Sequence, residues 1–279
     1  SGRTNTNAPN VMWAYNTGDG YITETSPALS YLDSGKQVAF VQRNVNTLQL
    51  VLLKWQLGQG TAANPVTPTL SPSAAAYRAC AANCYYVIPF STAAGPNNVG
   101  GTPTYSSPFV DYVNDILWVG DGNGVLHQFA DVFQKPNPRE IIGNGFPKVV
   151  EAGMTLSSPV FDYNGRVFVG TQSGTGTTGG KLHRIRADNG ATEATSAKLA
   201  LNSTTGLRES PIIDLRSGSV YAYVFNDNTT NYTDTARCQA FNNEIDGCRA
   251  IFRFDRLFTD GTNGTRQWIG RGNSTTRAL

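Results

Sequence analysis

Two histidines are the residues of this chain with the clearest capacity for chemistry. His127 and His183 occupy the same position in two copies of an internal repeat. Imidazole can ligate a metal or transfer protons near neutral pH. Equivalent positions on neighbouring units would not bring the two rings to one ion. We therefore interpret both as packing histidines, with a ligand role as the alternative.

The four cysteines form two local pairs, Cys80 with Cys84 and Cys238 with Cys248. Their spacings do not match a zinc site, and only two histidines could serve as further ligands. Although four cysteines allow three pairings, we predict the two local disulfides, with free thiols as the alternative. Disulfides are typical of oxidising compartments, so we expect a secreted, extracellular or periplasmic protein. Because Ser1 stands where Met would begin a chain, we also expect that a signal peptide or a longer N-terminal portion has been removed.

One oxygen-rich turn could bind calcium. The candidate ligands are Asp121 and Asn123, within the sequence Asp-Gly-Asn-Gly. The EF-hand pattern fails at its fifth position, where Val125 stands, and no glutamate follows at the twelfth. An ordinary hairpin turn is the alternative. We predict no other cofactor, and no catalytic residue is assigned, because no nucleophile-elbow motif occurs.

Five sequons for N-glycosylation occur in the last third of the chain. Such sites take up bulky surface glycans in hosts that glycosylate. In a chain with 24 Asn and 30 Thr, several would also arise from ordinary turn composition. The candidate acceptors are Asn202, Asn228, Asn231, Asn263 and Asn273.

These residues belong to a repeat that organises the chain. Ser-Pro steps end at residues 27, 108, 159 and 211, so the last two intervals are 51 and 52 residues. Each step precedes a short apolar run, a tight turn and a second apolar run, and we expect its serine to bond to backbone in the turn. The last three steps also carry an aspartate three residues after the proline, which we expect to cap the turn between the first and second strands. A third run and a weaker fourth run follow, the latter expected at 85–90, 147–151, 197–201 and 266–269. The apolar runs and glycine turns are typical of antiparallel hairpins.

Composition agrees with a β protein. Gly (29 residues), Thr and Asn are poor helix formers, which excludes a helical bundle. An apolar share of 39% can still supply a core. No apolar run reaches the roughly 18 residues of a membrane-spanning helix. The balance of 22 basic and 20 acidic residues argues against a nucleic-acid partner.

Four antiparallel strands in every ~45–50 residues predict the blades of a β-propeller. We therefore expect an all-β fold, a single propeller over 1–279 with about four full blades that start near residues 25, 105, 156 and 208. An insertion at 58–84 lies in the first blade and reads as a surface excursion. An outer strand is expected at 11–23. Because seventeen strands do not divide into four-stranded blades, we expect an arc of a larger ring with open sheet edges; a self-closed disc of four or five blades is the alternative.

The unit SSPVFDYNGRVFVG…GGKLHRIRADNGA, residues 157–191, resembles the pyrroloquinoline-quinone-type propeller repeat. Residues 13–18, WAYNTG, resemble its tryptophan strand, and the whole chain is similar to secreted bacterial propeller proteins. The resemblance implies the propeller fold. Quinone-dependent dehydrogenases of this family carry more blades, a vicinal disulfide and a calcium-bound aspartate. Since no two cysteines are adjacent here, the resemblance assigns no cofactor site.

The predicted function is a secreted, non-catalytic propeller that acts as a binding or scaffold module. Its partner would be a protein, a carbohydrate or another copy of the chain, joined through open sheet edges. The alternative is an enzyme, either a quinoprotein-like oxidoreductase or a polysaccharide-active hydrolase or lyase. We favour the binding module over the enzyme because the conspicuous motifs repeat along the chain, as structural residues do.

Overall fold

The computed structural model describes residues 11–45, 47–94, 104–172, 180–199, 206–227 and 248–271. Within these ranges the strands form four sheets that follow one another along the chain. The first sheet contains β1 (Ala28–Leu29), β2 (Gln37–Arg43), β3 (Leu48–Lys54), β4 (Thr69–Leu70) and, after helix α1 (Ala74–Ala79), β5 (Cys84–Pro89). The second contains β6 (Phe109–Asp111), β7 (Ile116–Gly120), β8 (Val125–Ala130), β9 (Arg139–Glu140) and β10 (Lys148–Val149).

The last two sheets have four strands each. The third contains β11 (Val160–Phe161), β12 (Arg166–Gly170), β13 (Leu182–Arg186) and β14 (Thr192–Thr195). The fourth contains β15 (Ile212–Asp214), β16 (Ser219–Asp227), β17 (Cys248–Asp255) and β18 (Thr265–Arg271). Each sheet is an antiparallel meander, apart from the parallel β4 and the division of the second sheet's outer strand into β9 and β10. Such meanders are propeller blades, so the predicted all-β fold with about four blades is confirmed.

The repeated aspartates fix the turn between the first and second strands of a blade. One carboxylate oxygen of Asp111 accepts the N–H of Val113 at 3.0 Å, and Asp162 accepts that of Asn164 at 2.8 Å. Asp214 repeats the bond in the fourth blade with the N–H of Arg216 at 2.9 Å. The predicted capping role of these residues is confirmed, because each carboxylate closes a local turn of its own chain segment.

The repeated serines join neighbouring blades. The N–H of Ser26 donates to the hydroxyl oxygen of Ser107 at 3.0 Å, and the N–H of Ser107 donates to that of Ser158 at 2.7 Å. The sequence suggested a bond within each turn. The hydroxyls instead accept from the preceding blade, because the entries of successive first strands lie side by side.

Three apolar clusters hold the blades together, each between two consecutive blades. The first joins blades one and two, the second joins blades two and three, and the third joins blades three and four. In the part of the chain that the structure describes, no apolar cluster joins the fourth blade to the first. The described apolar clusters therefore connect the four blades in chain order.

The insertion at 58–84 is more than a surface excursion. Ser73 caps α1 by accepting the N–H of Ala76, and Tyr77 on this helix is fully buried in the cluster between blades one and two. Arg78 donates to the carbonyl oxygens of Lys135, at 2.8 Å, and Phe133, at 3.2 Å, in the second blade. The helix thus clamps two blades together, because its aromatic ring fills the junction and its guanidinium reaches across.

Two predicted strands differ from the structure. Residues 11–23 form two isolated bridges, Tyr15 with Val66 and Ile22 with Arg43, so they lie along the first blade without becoming a regular strand. The outer strand of the third blade is Thr192–Thr195, which replaces the predicted 197–201. Its one apolar residue, Ala194, is buried in the cluster between blades three and four, and a single small residue gives no alternating pattern by which a strand could be recognised.

No helix among the described residues is long and apolar enough to cross a membrane.

Candidate functional site

His127 lies in a buried charged cluster at the junction of blades one and two. Its side chain is inaccessible to solvent on β8, and its Nδ1 lies 2.6 Å from Glu140 Oε1. The other nitrogen, Nε2, faces Asp121 Oδ2 at 3.7 Å. The Phe90 ring of the first blade packs on the imidazole, with 4.5 Å between ring centres. Burial alone would lower the pKa of His127, but the two flanking carboxylates outweigh it and raise that pKa.

Glu140 connects this cluster to the surface. It lines a cleft of about 500 Å³ whose walls include Tyr86 and Ile142. Its second carboxylate oxygen accepts the N–H of Ser91 in the first blade. One carboxylate therefore ties together the histidine of blade two and the backbone of blade one. The geometry favours a role in holding the junction.

His183 stands at the equivalent position of the third blade. His127 pairs across the sheet with Val119, and His183 pairs with Val169. Its Nδ1 lies 3.2 Å from Thr195 Oγ1, and its Nε2 lies 3.4 Å from Glu151 Oε2. The two histidines thus occupy separate junctions, each beside its own carboxylate. Their glutamate partners come from the loop or outer strand, at no fixed spacing from the histidine.

The calcium candidates lie in a closed turn. Asp121 Oδ1 accepts the N–H groups of Asn123 and Val125 at 2.9 and 2.8 Å, and Asp121 is fully buried. Its other oxygen faces His127. Within the described ranges, no group of three or more His, Cys, Asp or Glu side chains has metal-binding geometry. Calcium at Asp121 and Asn123 stays a prediction.

A disulfide joins Cys80 to Cys84 directly after helix α1. Cys238 lies outside the described residues, so the second predicted bridge stays a prediction. Among the sequons, Asn263 is exposed in the loop before β18. The other four acceptors, Asn202, Asn228, Asn231 and Asn273, lie outside the described residues.

One face of the fourth blade's sheet packs against no other described blade, a feature distinct from the open sheet edges that the sequence predicted. We call it the open face. It contains a depression of about 430 Å³ lined by Tyr221, Ile251, Arg253, Thr265 and Gln267. Because alternate residues of a strand share a face, its members follow from the cross-strand register. They are Ile212, Asp214, Ser219, Tyr221, Tyr223, Ile251, Arg253, Asp255, Thr265 and Gln267.

Equivalent aromatic residues are buried in the inner blades. Trp118, Phe168 and Tyr221 each pair with the first residue after a Ser-Pro step, so they occupy the same position in successive blades. Trp118 is 1% exposed and lies 5.0 Å from the Phe161 ring of blade three. Phe168 is 0% exposed and packs against Phe258 of blade four. Tyr221 is only partly buried, because no described blade follows it.

The third strand repeats the same arrangement with a polar donor. Gln128, opposite Trp118, donates to the carbonyl of Ala187 in the next blade at 2.9 Å. Arg184, opposite Phe168, donates to the carbonyl of Phe258 in the next blade at 2.7 Å. Arg253 stands opposite Tyr221 and is exposed. The open face therefore presents an aromatic ring and a donor where inner blades use both to bind a neighbour.

No protein-family model matches this chain, and no curated protein matches it in sequence. Solved structures match it with low identity. Raptor from Chaetomium thermophilum shares 12% identity at a TM-score of 0.42, covering 95% of this chain and 18% of that chain. The quinohemoprotein alcohol dehydrogenase ADHIIG from Pseudomonas putida HK5 shares 14% at 0.45, covering 95% and 36%.

BamB from Moraxella catarrhalis shares 14% identity at a TM-score of 0.35, covering 94% of this chain and 77% of that chain. The chain thus spans well under half of the first two proteins. Since each TM-score is below 0.5, the fold rests on the four sheets themselves. Membership of the quinone-type repeat family stays a prediction.

Proposed function

We propose that this chain is a non-catalytic binding or scaffold module of a secreted or periplasmic protein. The observation that carries the proposal is the open face, where Ile212 is 52% exposed and Tyr221 is only partly buried. A sheet face with clustered apolar side chains is suited to partner binding. The Cys80–Cys84 disulfide supports the compartment, because such bonds persist under oxidising conditions.

The histidine clusters support a structural role for the most reactive side chains. His127 and His183 each contact a carboxylate inside a junction, and Glu140 also holds the backbone of the neighbouring blade. A proton-transfer group needs reach to a substrate. The His127 side chain is fully buried, so a substrate in solvent does not reach it, and it contacts only residues of the surrounding blades among those described.

Selection of ligands from a displayed peptide library tests the binding role. The library is panned against the wild-type chain, and each enriched clone is tested against Ile251→Arg. We expect clones that lose binding to Ile251→Arg, because the charge spoils the apolar centre of the open face. Val113→Arg is the matched control, since Val113 is 82% exposed in a turn of the second blade. Clones that bind all three proteins equally would argue against the open face as the binding surface.

A titration with pyrroloquinoline quinone and calcium tests the proposal that the chain is not a quinone-dependent enzyme. We expect no change in quinone absorbance and no shift in melting temperature. A saturable absorbance change together with reduction of an electron-acceptor dye would contradict it.

A further inference from the structure

The open face carries the docking elements of an inner blade junction. Its aromatic and donor positions, Tyr221 and Arg253, align with pairs that bind the following blade in the second and third sheets. At those inner junctions the occupant is a β-sheet face with apolar side chains. The same occupant chemistry suits the open face, because Ile212 and Ile251 complete its apolar centre.

One difference separates the open face from the inner junctions. Gly120 and Gly170 stand two residues after Trp118 and Phe168, and each lies directly against a leucine of the next blade. The corresponding residue of the fourth blade is Tyr223. A blade entering with a leucine at this place would collide with the tyrosine. The occupant therefore has a different geometry from the next blade of a regular ring.

The charged residues of the open face indicate how the occupant docks. Arg253 and Asp255 are alternate residues of β17, so they share one face with opposite charges about 7 Å apart. A twofold axis between two such strands brings each arginine to the aspartate of the other copy. Isologous contacts have this reciprocity: if residue i of one copy contacts residue j of the other, residue j of the first copy also contacts residue i of the second.

We propose that the occupant is a second copy of this chain, docked fourth blade to fourth blade in a twofold dimer. This inference rests on the proposed function and names the partner. Tyr221, Tyr223 and Ile251 of both copies form the centre of the interface, and the Arg253–Asp255 pairs lie beside it. Charge does not oppose the association, because the net charge of each chain is only +2.

The first blade favours the twofold arrangement over a head-to-tail one. Residues 11–23 run along the side of the first blade that faces away from blade two, where Thr17 donates to the buried Gln42 at 2.8 Å. A second copy cannot dock there without displacing this segment. Because a twofold contact uses the same face twice, it ends at the dimer and does not propagate into fibres.

Sedimentation velocity over a wide concentration range tests the dimer with charge reversals. We expect the wild-type chain to dimerise, and Arg253→Asp and Asp255→Arg each to raise the dissociation constant at least about tenfold, since each places like charges together. A one-to-one mixture of the two variants should restore dimerisation. Each variant then carries two like charges of the sign opposite to those of its partner.

Matched controls separate this effect from misfolding. Arg186→Asp reverses an exposed arginine of the third blade and should leave the wild-type dissociation constant unchanged. Recovery in the mixture also requires that both variants are folded. The proposal that a second copy is the occupant is wrong if the wild-type chain is monomeric at every concentration. It is also wrong if the chain dimerises and neither charge reversal changes the dissociation constant. If face-dependent peptide clones are still found, the binding module survives that result; if they are not, it fails too.

Discussion

The first and fourth blades differ at the side that packs against no other described blade. On the first blade, Val38, Val51 and Leu53 of this side are at most 2% exposed, and residues 11–23 run along it, where Thr17 bonds to Gln42. Trp13 stacks on Trp55 at this end, with 5.6 Å between ring centres. The fourth blade instead presents the open face. Among the described residues, the chain therefore places a segment along this side of the first blade and none along the open face.

Removal of an aromatic ring from equivalent positions should give the largest difference in stability between an inner junction and the open face. Trp118→Ala should lower the free energy of unfolding by about 3–5 kcal/mol, because it leaves a cavity between two blades. Tyr221→Ala should cost about 1 kcal/mol or less, since its ring is partly solvated already. Urea unfolding at low protein concentration measures both. Equal losses would mean that the open face is as buried as the inner junction.

The glycines of the inner junctions offer a second test. A Cβ at Gly170 would lie 2.6 Å from the Cβ of Leu207 in the next blade. Gly170→Ala should therefore cost about 1–3 kcal/mol through overpacking. Tyr223→Ala, at the corresponding position of the fourth blade, is the control and should change stability less. Thermal unfolding of both variants would refute the comparison if their order were reversed.

The histidine junction should respond to pH. The pKa of His127 is raised in the folded chain by Asp121 and Glu140 against the effect of burial. Its stabilising contribution is thus complete below the unfolded pKa of about 6.5 and is lost as pH rises through the higher folded pKa. The stability difference between the wild type and His127→Gln should shrink from about pH 6 upward. A difference that grows with pH would contradict the sign of this shift.

The smallest expected effect concerns residues 11–23, which run along the first blade. Trp13→Ser should cost about 1 kcal/mol, mainly from loss of the stack on Trp55. It should also increase the binding of an apolar dye, because the surface beneath becomes accessible. Met12→Ser is the matched control, since Met12 is 58% exposed. Unchanged dye fluorescence for Trp13→Ser would mean that the segment does not cover the sheet.

The repeat made most of the fold predictable. Ser-Pro steps and the following aspartates recur because every blade needs the same entry and the same turn, so sequence spacing located the inner strands. The strand Thr192–Thr195 escaped prediction because its edge position imposes no apolar pattern. Helix α1 was also missed: six residues are too few for a helical periodicity, and its stability comes from Tyr77 and Arg78 in a tertiary junction.

The candidate sites were less predictable. The repeat identified His127 and His183 as equivalent, but it could not supply Glu140 or Glu151, which reach them from an outer strand and a loop. The strand count predicted unpaired sheet edges, and it did not predict the open face. Its residues could have been found by aligning Tyr221 with Trp118 and Phe168, and Arg253 with Gln128 and Arg184.

Hydroxyl-radical footprinting with mass spectrometry measures directly whether the open face is accessible to solvent. At low protein concentration we expect Tyr221 and Tyr223 to be oxidised readily, while Trp118 and Phe168 of the inner blades are protected. At high concentration the two tyrosines should become protected as the second copy docks. Protection of Tyr221 equal to that of Trp118 at the lowest concentration would contradict the existence of an open face.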